Sequence, residues 1–328
     1  MKIADSIIES LKTGILNRDT ASLARAITLA ESRRSDHQTI FRELAKQLPI
    51  PVNPSIRIGI TGLPGAGKST FIEAIGQEIL KEDRRLAVLT VDPSSPLHKG
   101  SILGDKTRMP LLAADTRVFI RPSPSSGFLG GITSTTYDVI QLCEATGFDT
   151  ILIESVGIGQ SEMTIASVSD LLVLLLISGA GDELQGIKSG ILEVADLVAI
   201  NKAEGEHRMA AESTLQEYQQ AFGLRSMMSP AYPRITALCS ALTGDGISEI
   251  WVQIKSRLEK LQQSNAFQTR RAEQQLVLLE DATRKQLDLA FKESPSVQQA
   301  LKKAKEALEK GEGTIPDLAS EIVASFLK

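Results

Sequence analysis

From Ile3 to about Leu48, apolar positions recur at helical spacing: Ile7, Ile8, Leu11 and Ile15, then Leu23, Ala26, Ile27 and Ala30. That period predicts two or three short amphipathic helices, with Asp19 and Asp36 placed as N-caps. Pro49-Ile50-Pro51-Val52-Asn53-Pro54 closes the pattern as a linker. The period then changes. Ile56 to Ile60, Leu86 to Val91, Arg117 to Ile120, Thr150 to Ile153, Leu171 to Ile177, Leu197 to Ile200 and Ile235 to Cys239 are short, leucine-rich or β-branched runs separated by helical stretches. Continuous apolar runs of this kind predict an α/β fold whose mainly parallel sheet is covered on both faces. Beyond Leu261 the helical period returns with Leu276, Leu279, Leu287 and Phe291, then Val297, Leu301, Ala304 and Leu308. Gly311 and Gly313 precede a last helix from Asp317 to Leu327. The apolar stripe of this C-terminal arm must be buried, on its own globular domain or on a second copy, and a homodimer is expected.

The first strand-like run leads into chemistry. It is followed by Gly62-Leu63-Pro64-Gly65-Ala66-Gly67-Lys68-Ser69-Thr70, the pattern G-x-x-x-x-G-K-[ST] in its required setting of strand, glycine loop and helix. A backbone wrapped round a polyphosphate must turn tightly and aim its N–H groups inward, which Cβ atoms would block. Lys68 can reach the β- and γ-phosphates, Ser69 can offer its hydroxyl to Mg2+, and the helix directs its positive end at the anion. Residues 55–263 therefore read as a P-loop nucleotide domain, with an N-terminal helical extension over 1–54 and a C-terminal helical arm over 264–328.

In a parallel sheet, ligands bind beyond the carboxyl ends of the strands, and the other polar signals fall there. Asp92 ends the second run, either capping the turn Pro93-Ser94-Ser95-Pro96 or facing the metal. Asp105 is a second acid that joins the Mg2+ shell or caps a helix; Mg2+ takes a few carboxylates plus phosphate oxygens. Arg121 to Gly131, rich in Pro, Ser and Gly, reads as a long connection near the site. Glu154 ends a buried run and Gly157 follows, a D-x-x-G pattern with Glu for Asp. The Gly157 N–H is placed to contact the γ-phosphate and sense its loss, and Gln160 to orient the attacking water. Asn201-Lys202-Ala203-Glu204 approximates N-K-x-D, whose acid accepts hydrogen bonds from the two N–H positions that guanine presents and adenine does not. Ser240-Ala241-Leu242 reads as the supporting loop whose backbone N–H contacts the base oxygen.

Composition narrows the partners. With 36 basic and 40 acidic side chains among 328 residues, the formal net charge is -4, which gives no general drive toward nucleic acid or anionic membrane. The longest apolar run, Leu171 to Ile177, is far short of the roughly 20 residues that cross a bilayer. No export signal is visible at Met1-Lys2-Ile3-Ala4-Asp5, so a cytoplasmic protein is expected. Cys143 and Cys239 read as buried thiols, and His37, His98 and His207 are scattered.

With Gly62 to Thr70, Val91 to Pro96, Gly100-Ser101-Ile102-Leu103-Gly104-Asp105, Glu154 to Glu162 and Asn201 to Glu204 assembled, the chain resembles the methylmalonyl-CoA mutase-associated GTPases. This is the MeaB and ArgK family, in the signal-recognition-like class of P-loop GTPases. The resemblance covers nearly the whole chain. It implies a GTP-hydrolysing chaperone of an adenosylcobalamin-dependent methylmalonyl-CoA mutase, gating cofactor loading and protecting the mutase, with GTP or GDP and Mg2+ bound. It also implies a homodimer joined through the C-terminal arm. Lys68 and Ser69 carry over as phosphate and Mg2+ contacts, and Asp92, Asp105 and Glu154 as metal-site acids. Ser178 to Lys188, with Asp182, Gln185 and Lys188, resembles a third switch that communicates with the mutase. Glu204 departs from the family's usual Asp. Two alternatives share the phosphate loop: a kinase acting on basic-amino-acid transport proteins, and a metal-insertion GTPase.

Overall fold

A computed structural model describes residues 2–32, 34–49, 54–92, 107–124, 131–155, 161–178, 189–226 and 234–327. Its centre is a seven-stranded sheet of β1 (Ile56–Gly62), β2 (Leu86–Asp92), β3 (Val118–Pro124), β4 (Thr150–Ser155), β5 (Leu171–Ile177), β6 (Leu197–Asn201) and β7 (Ile235–Leu238), in the order β3-β2-β4-β1-β5-β6-β7. Every pairing is parallel, so all seven strands end at one edge. Both faces are buried, as the apolar runs require. Alternate residues Ile58, Ile60, Leu152, Val173 and Leu175 share a core with Phe71, Ile72 and Ile75 of α4 (Lys68–Leu80). Ile151, Ile153, Leu172 and Leu174, pointing the other way, are equally buried.

The N-terminal extension forms three helices, α1 (Lys2–Leu16), α2 (Thr20–Glu31) and α3 (Ser35–Gln47). They pack on one another through Leu11, Ile15, Leu23, Ile27 and Leu44. Asp19 caps α2, its carboxylate accepting from the backbone N–H groups of Ala21 and Ser22. Asp36 does not cap α3. The N-cap there is Arg34, and Asp36 lies inside the first turn, where both carboxylate oxygens hold the Arg34 guanidinium at 3.0 and 2.6 Å.

A second correction concerns Arg121 to Gly131. Its first four residues continue β3, with Pro122 opposite Thr90 and Pro124 opposite Asp92. Prolines are tolerated because β3 is an edge strand, where one row of N–H groups has no ladder to join. Arg121 reaches α2, its Nη2 lying 2.6 Å from the Glu31 carboxylate.

The remaining described helices are α5 (Pro110–Ala114), α6 (Gly131–Ala145), α7 (Ser161–Ala166), α8 (Ser189–Val194), α9 (Arg208–Ser226), α10 (Ile247–Gln263), α11 (Ala266–Glu293), α12 (Pro295–Glu309) and α13 (Ile315–Phe326). By contacts the chain divides into two units, Met1–Gln275 and Leu276–Lys328. The first unit includes the start of α11, because charged side chains there grip the edge where the strands begin. Arg271 donates to both Asp170 oxygens at 2.7 Å and to Ser55 O at 2.6 Å, and Arg270 pairs with Asp196. Asp170 also accepts the Arg57 N–H, and Asp196 the Leu172 N–H. The second unit is helical. Within it Phe291 meets Phe326 edge-on at 5.3 Å, and Ser296 donates to Ser325 O.

Candidate functional site

The phosphate loop follows β1 at the edge where the parallel strands end. Gly62 has φ +148°, and a Cβ there would lie 2.3 Å from the Leu175 carbonyl oxygen on β5. No side chain fits so close to a neighbouring backbone. Gly67, at φ +86°, is the N-cap of α4 and has no side chain to offer the helix's first N–H groups. A Cβ there would lie 2.7 Å from Asn201 Nδ2. Leu63 and Ala66 are buried and anchor the loop, while Pro64, Gly65 and Thr70 face outward. The first turn of α4 therefore presents uncapped N–H groups, the arrangement that binds phosphate. Lys68 stretches back over the loop, its Nζ donating to Gly62 O at 2.8 Å and Leu63 O at 3.1 Å.

Glu154 is nearly fully buried in β4, opposite Ile60 of β1 and Thr90 of β2. Its Oε1 accepts the Ser69 hydroxyl at 3.2 Å. Sheet register thus joins residues 85 positions apart. One hydroxyl and one carboxylate are hard oxygen donors of the kind Mg2+ selects, so the pair fits that ion. Asp92 ends β2, the strand beside β4. Asp105, Gly157, Gln160, Asp182, Gln185 and Lys188 lie outside the described residues.

Asn201 links the phosphate loop to the candidate base loop. It is buried at the end of β6; its Nδ2 donates to Ala66 O at 2.8 Å, and its Oδ1 accepts the Ala241 N–H at 2.9 Å. Within the loop Ser240-Ala241-Leu242, read as contacting the base oxygen through a backbone N–H, the Ala241 amide is thus bonded to Asn201. Ser240 is buried, its N–H donating to Asp245 O and its Oγ accepting from Thr243 N; Leu242 is exposed. Lys202 adopts φ +61° and points outward. Glu204 is half-buried, and its Oε2 is shielded from water with no hydrogen-bond partner. A buried carboxylate oxygen left so is costly, and two N–H donors on a ligand would satisfy it.

Cys239 is a site residue that the motif reading missed. Its Sγ lies 3.7 Å from Asn201 Oδ1, and its backbone bridges Ile200 O and the Ala203 N–H. Burial, and then the Glu204 charge, push its thiol up to about 12, so it stays protonated and can donate to Asn201. The available signal was its place directly before Ser240.

Similarity to known proteins spans the part of the chain that holds these residues. The family model described as methylmalonyl Co-A mutase-associated GTPase MeaB matches residues 23–296. GTPase ArgK of Escherichia coli is 43% identical over 270 residues, covering 82% of this chain and 81% of that protein. The methylmalonic aciduria type A homolog of Mus musculus, a mitochondrial protein, is 40% identical over 304 residues, covering 90% and 73%. A solved structure described as LAO/AO transport system kinase superposes with a TM-score of 0.74 at 30% identity, covering 98% of each chain. With the P-loop fold and the match running from α2 into α12, the chain belongs to the family of methylmalonyl Co-A mutase-associated GTPases, and it is a GTPase.

Proposed function

We propose that this GTPase is a chaperone of an adenosylcobalamin-dependent methylmalonyl-CoA mutase, using GTP binding and hydrolysis to gate cofactor loading and to protect the mutase. The family match supports the client. The observation that carries the nucleotide reading is the buried, unpartnered Glu204 Oε2 beside the Asn201 bridge, an acceptor suited to the N–H groups of guanine. In this reading Lys68 and the α4 N-terminus hold the phosphates, and Ser69, Asp92, Asp105 and Glu154 hold Mg2+. The ion, when bound, offsets charge on the β- and γ-phosphates. Gln160 orients water, Gly157 senses the γ-phosphate, and Asp182, Gln185 and Lys188 transmit its loss to the mutase.

The test is calorimetric titration with GDP and with ADP, for the natural chain and for Glu204→Asp and Glu204→Gln. GDP should bind far more tightly than ADP. Glu204→Gln should reduce that preference by about 10–100-fold, the worth of a hydrogen bond to a charged acceptor, whereas Glu204→Asp should retain most of it. Equal GDP and ADP affinities would remove the base-reading role. A single-turnover assay then reports the coupling: added mutase should change the hydrolysis rate, and an unchanged rate counts against a chaperone cycle. Since a structural relative is described as a kinase, the fate of the γ-phosphate separates that reading. Label released as free phosphate, with none on protein, excludes it.

A further inference from the structure

Two arginines converge where the strands begin, at the edge opposite the phosphate loop. Gly147 stands in the turn from α6 into β4, at φ +81°. A Cβ built on it would lie 3.2 Å from Arg18 Nε and 3.3 Å from Arg85 Nη1, so both guanidinium groups reach the same turn and a side chain there would crowd them. Arg85 is held from behind. Its Nη1 donates to Thr146 O at 2.6 Å and Gly147 O at 3.3 Å, and its guanidinium lies 4.4 Å from the Phe148 ring centroid. Arg18 is exposed and makes no side-chain hydrogen bond or ion pair among the described residues. Asp149, the acid whose charge acts on Arg85, is engaged elsewhere: it accepts the Arg85 backbone N–H at 3.0 Å and the Thr150 hydroxyl at 3.0 Å, and lies 3.8 Å from Arg84. Burial first, and then the Arg18 charge, lower the Arg85 pKa, with Asp149 opposing them.

Like charges held together without a dedicated counter-ion are unfavourable unless an anion joins them. We infer that Arg18 and Arg85 form a binding site for a phosphate-type oxyanion, separate from the nucleotide site. A dianion balances both charges, and its oxygens accept from two forks approaching from different elements; a monocarboxylate leaves one charge unmatched.

The experiment uses the full chain loaded with GDP and Mg2+, so that the phosphate loop is filled. Inorganic phosphate is titrated calorimetrically at an ionic strength fixed with NaCl, and the titration is repeated with acetate. Saturable phosphate binding is expected, at least about tenfold weaker in Arg18→Gln, whose exposed position leaves folding and GDP affinity unchanged. Arg85→Lys, which keeps the charge but loses the fork, should also weaken it. Phosphate binding that is equal in Arg18→Gln, absent above the salt control, or matched by acetate overturns the site.

Discussion

Glu154 shows how one side chain concentrates the proposed metal chemistry. Its Oε1 accepts the Ser69 hydroxyl of the phosphate loop at 3.2 Å, and its burial strengthens any interaction with a cation. Glu154→Gln keeps the shape and removes the charge. The half-saturating Mg2+ concentration for GTP hydrolysis should rise by about 10–100-fold, with GDP affinity in EDTA unchanged; an unaltered Mg2+ dependence refutes the assignment. The cysteines give a different residue-scale prediction. Both are free and buried, and burial raises both thiol pKa values. Ellman's reagent at pH 8 should therefore find neither thiol in the native protein and both in guanidinium chloride. Reading Asn201 as a base contact was possible from its motif; its second role, bridging Ala66 to Ala241, was not, because those partners are distant in sequence.

At the scale of elements, strand positions were legible because buried parallel strands are unbroken apolar runs. β3 was read short, since Pro122 and Pro124 resemble turn residues until the strand is known to lie at an edge. Asp36 was misplaced because a carboxylate near a helix start can cap it or pair with a neighbouring cation, and Arg34 supplied the cation. The start of α11 was read as the beginning of the C-terminal arm, and its Arg271 binds the nearly fully buried Asp170 of the first unit. Removing one member of such a pair leaves a charge inadequately solvated. Arg271→Ala should lower unfolding stability by about 3 kcal/mol, measured from the urea midpoint, and Arg271→Lys should recover part of it. A loss below about 0.5 kcal/mol would show that Asp170 is sufficiently satisfied by the Arg57 N–H alone.

At the scale of the whole molecule, the second unit exposes Leu276, Leu279, Leu287, Leu301 and Leu308, each about half or more accessible. Leu276, Leu279 and Leu287 follow helical spacing on α11. We propose that a second copy covers this surface. Analytical ultracentrifugation should find a dimer, and the double variant Leu279→Glu, Leu287→Glu should sediment as a monomer with its nucleotide binding intact. A natural chain that stays monomeric across concentrations contradicts the proposal. Among the described residues no helix is long and apolar enough to cross a membrane.

By itself the sequence determined the parallel sheet covered on both faces, the succession of its strands and the glycine loop after the first of them, because burial period and glycine spacing are local properties of the chain. Tertiary structure decided what depends on register and on groups far apart in sequence. It placed Ser69 against Glu154, set Asn201 between two loops with Cys239 behind it, and left one Glu204 oxygen buried without a partner. It also drew Arg18 and Arg85 together across Gly147. Each is a meeting of side chains brought together by packing, and no spacing along the chain encodes such a meeting.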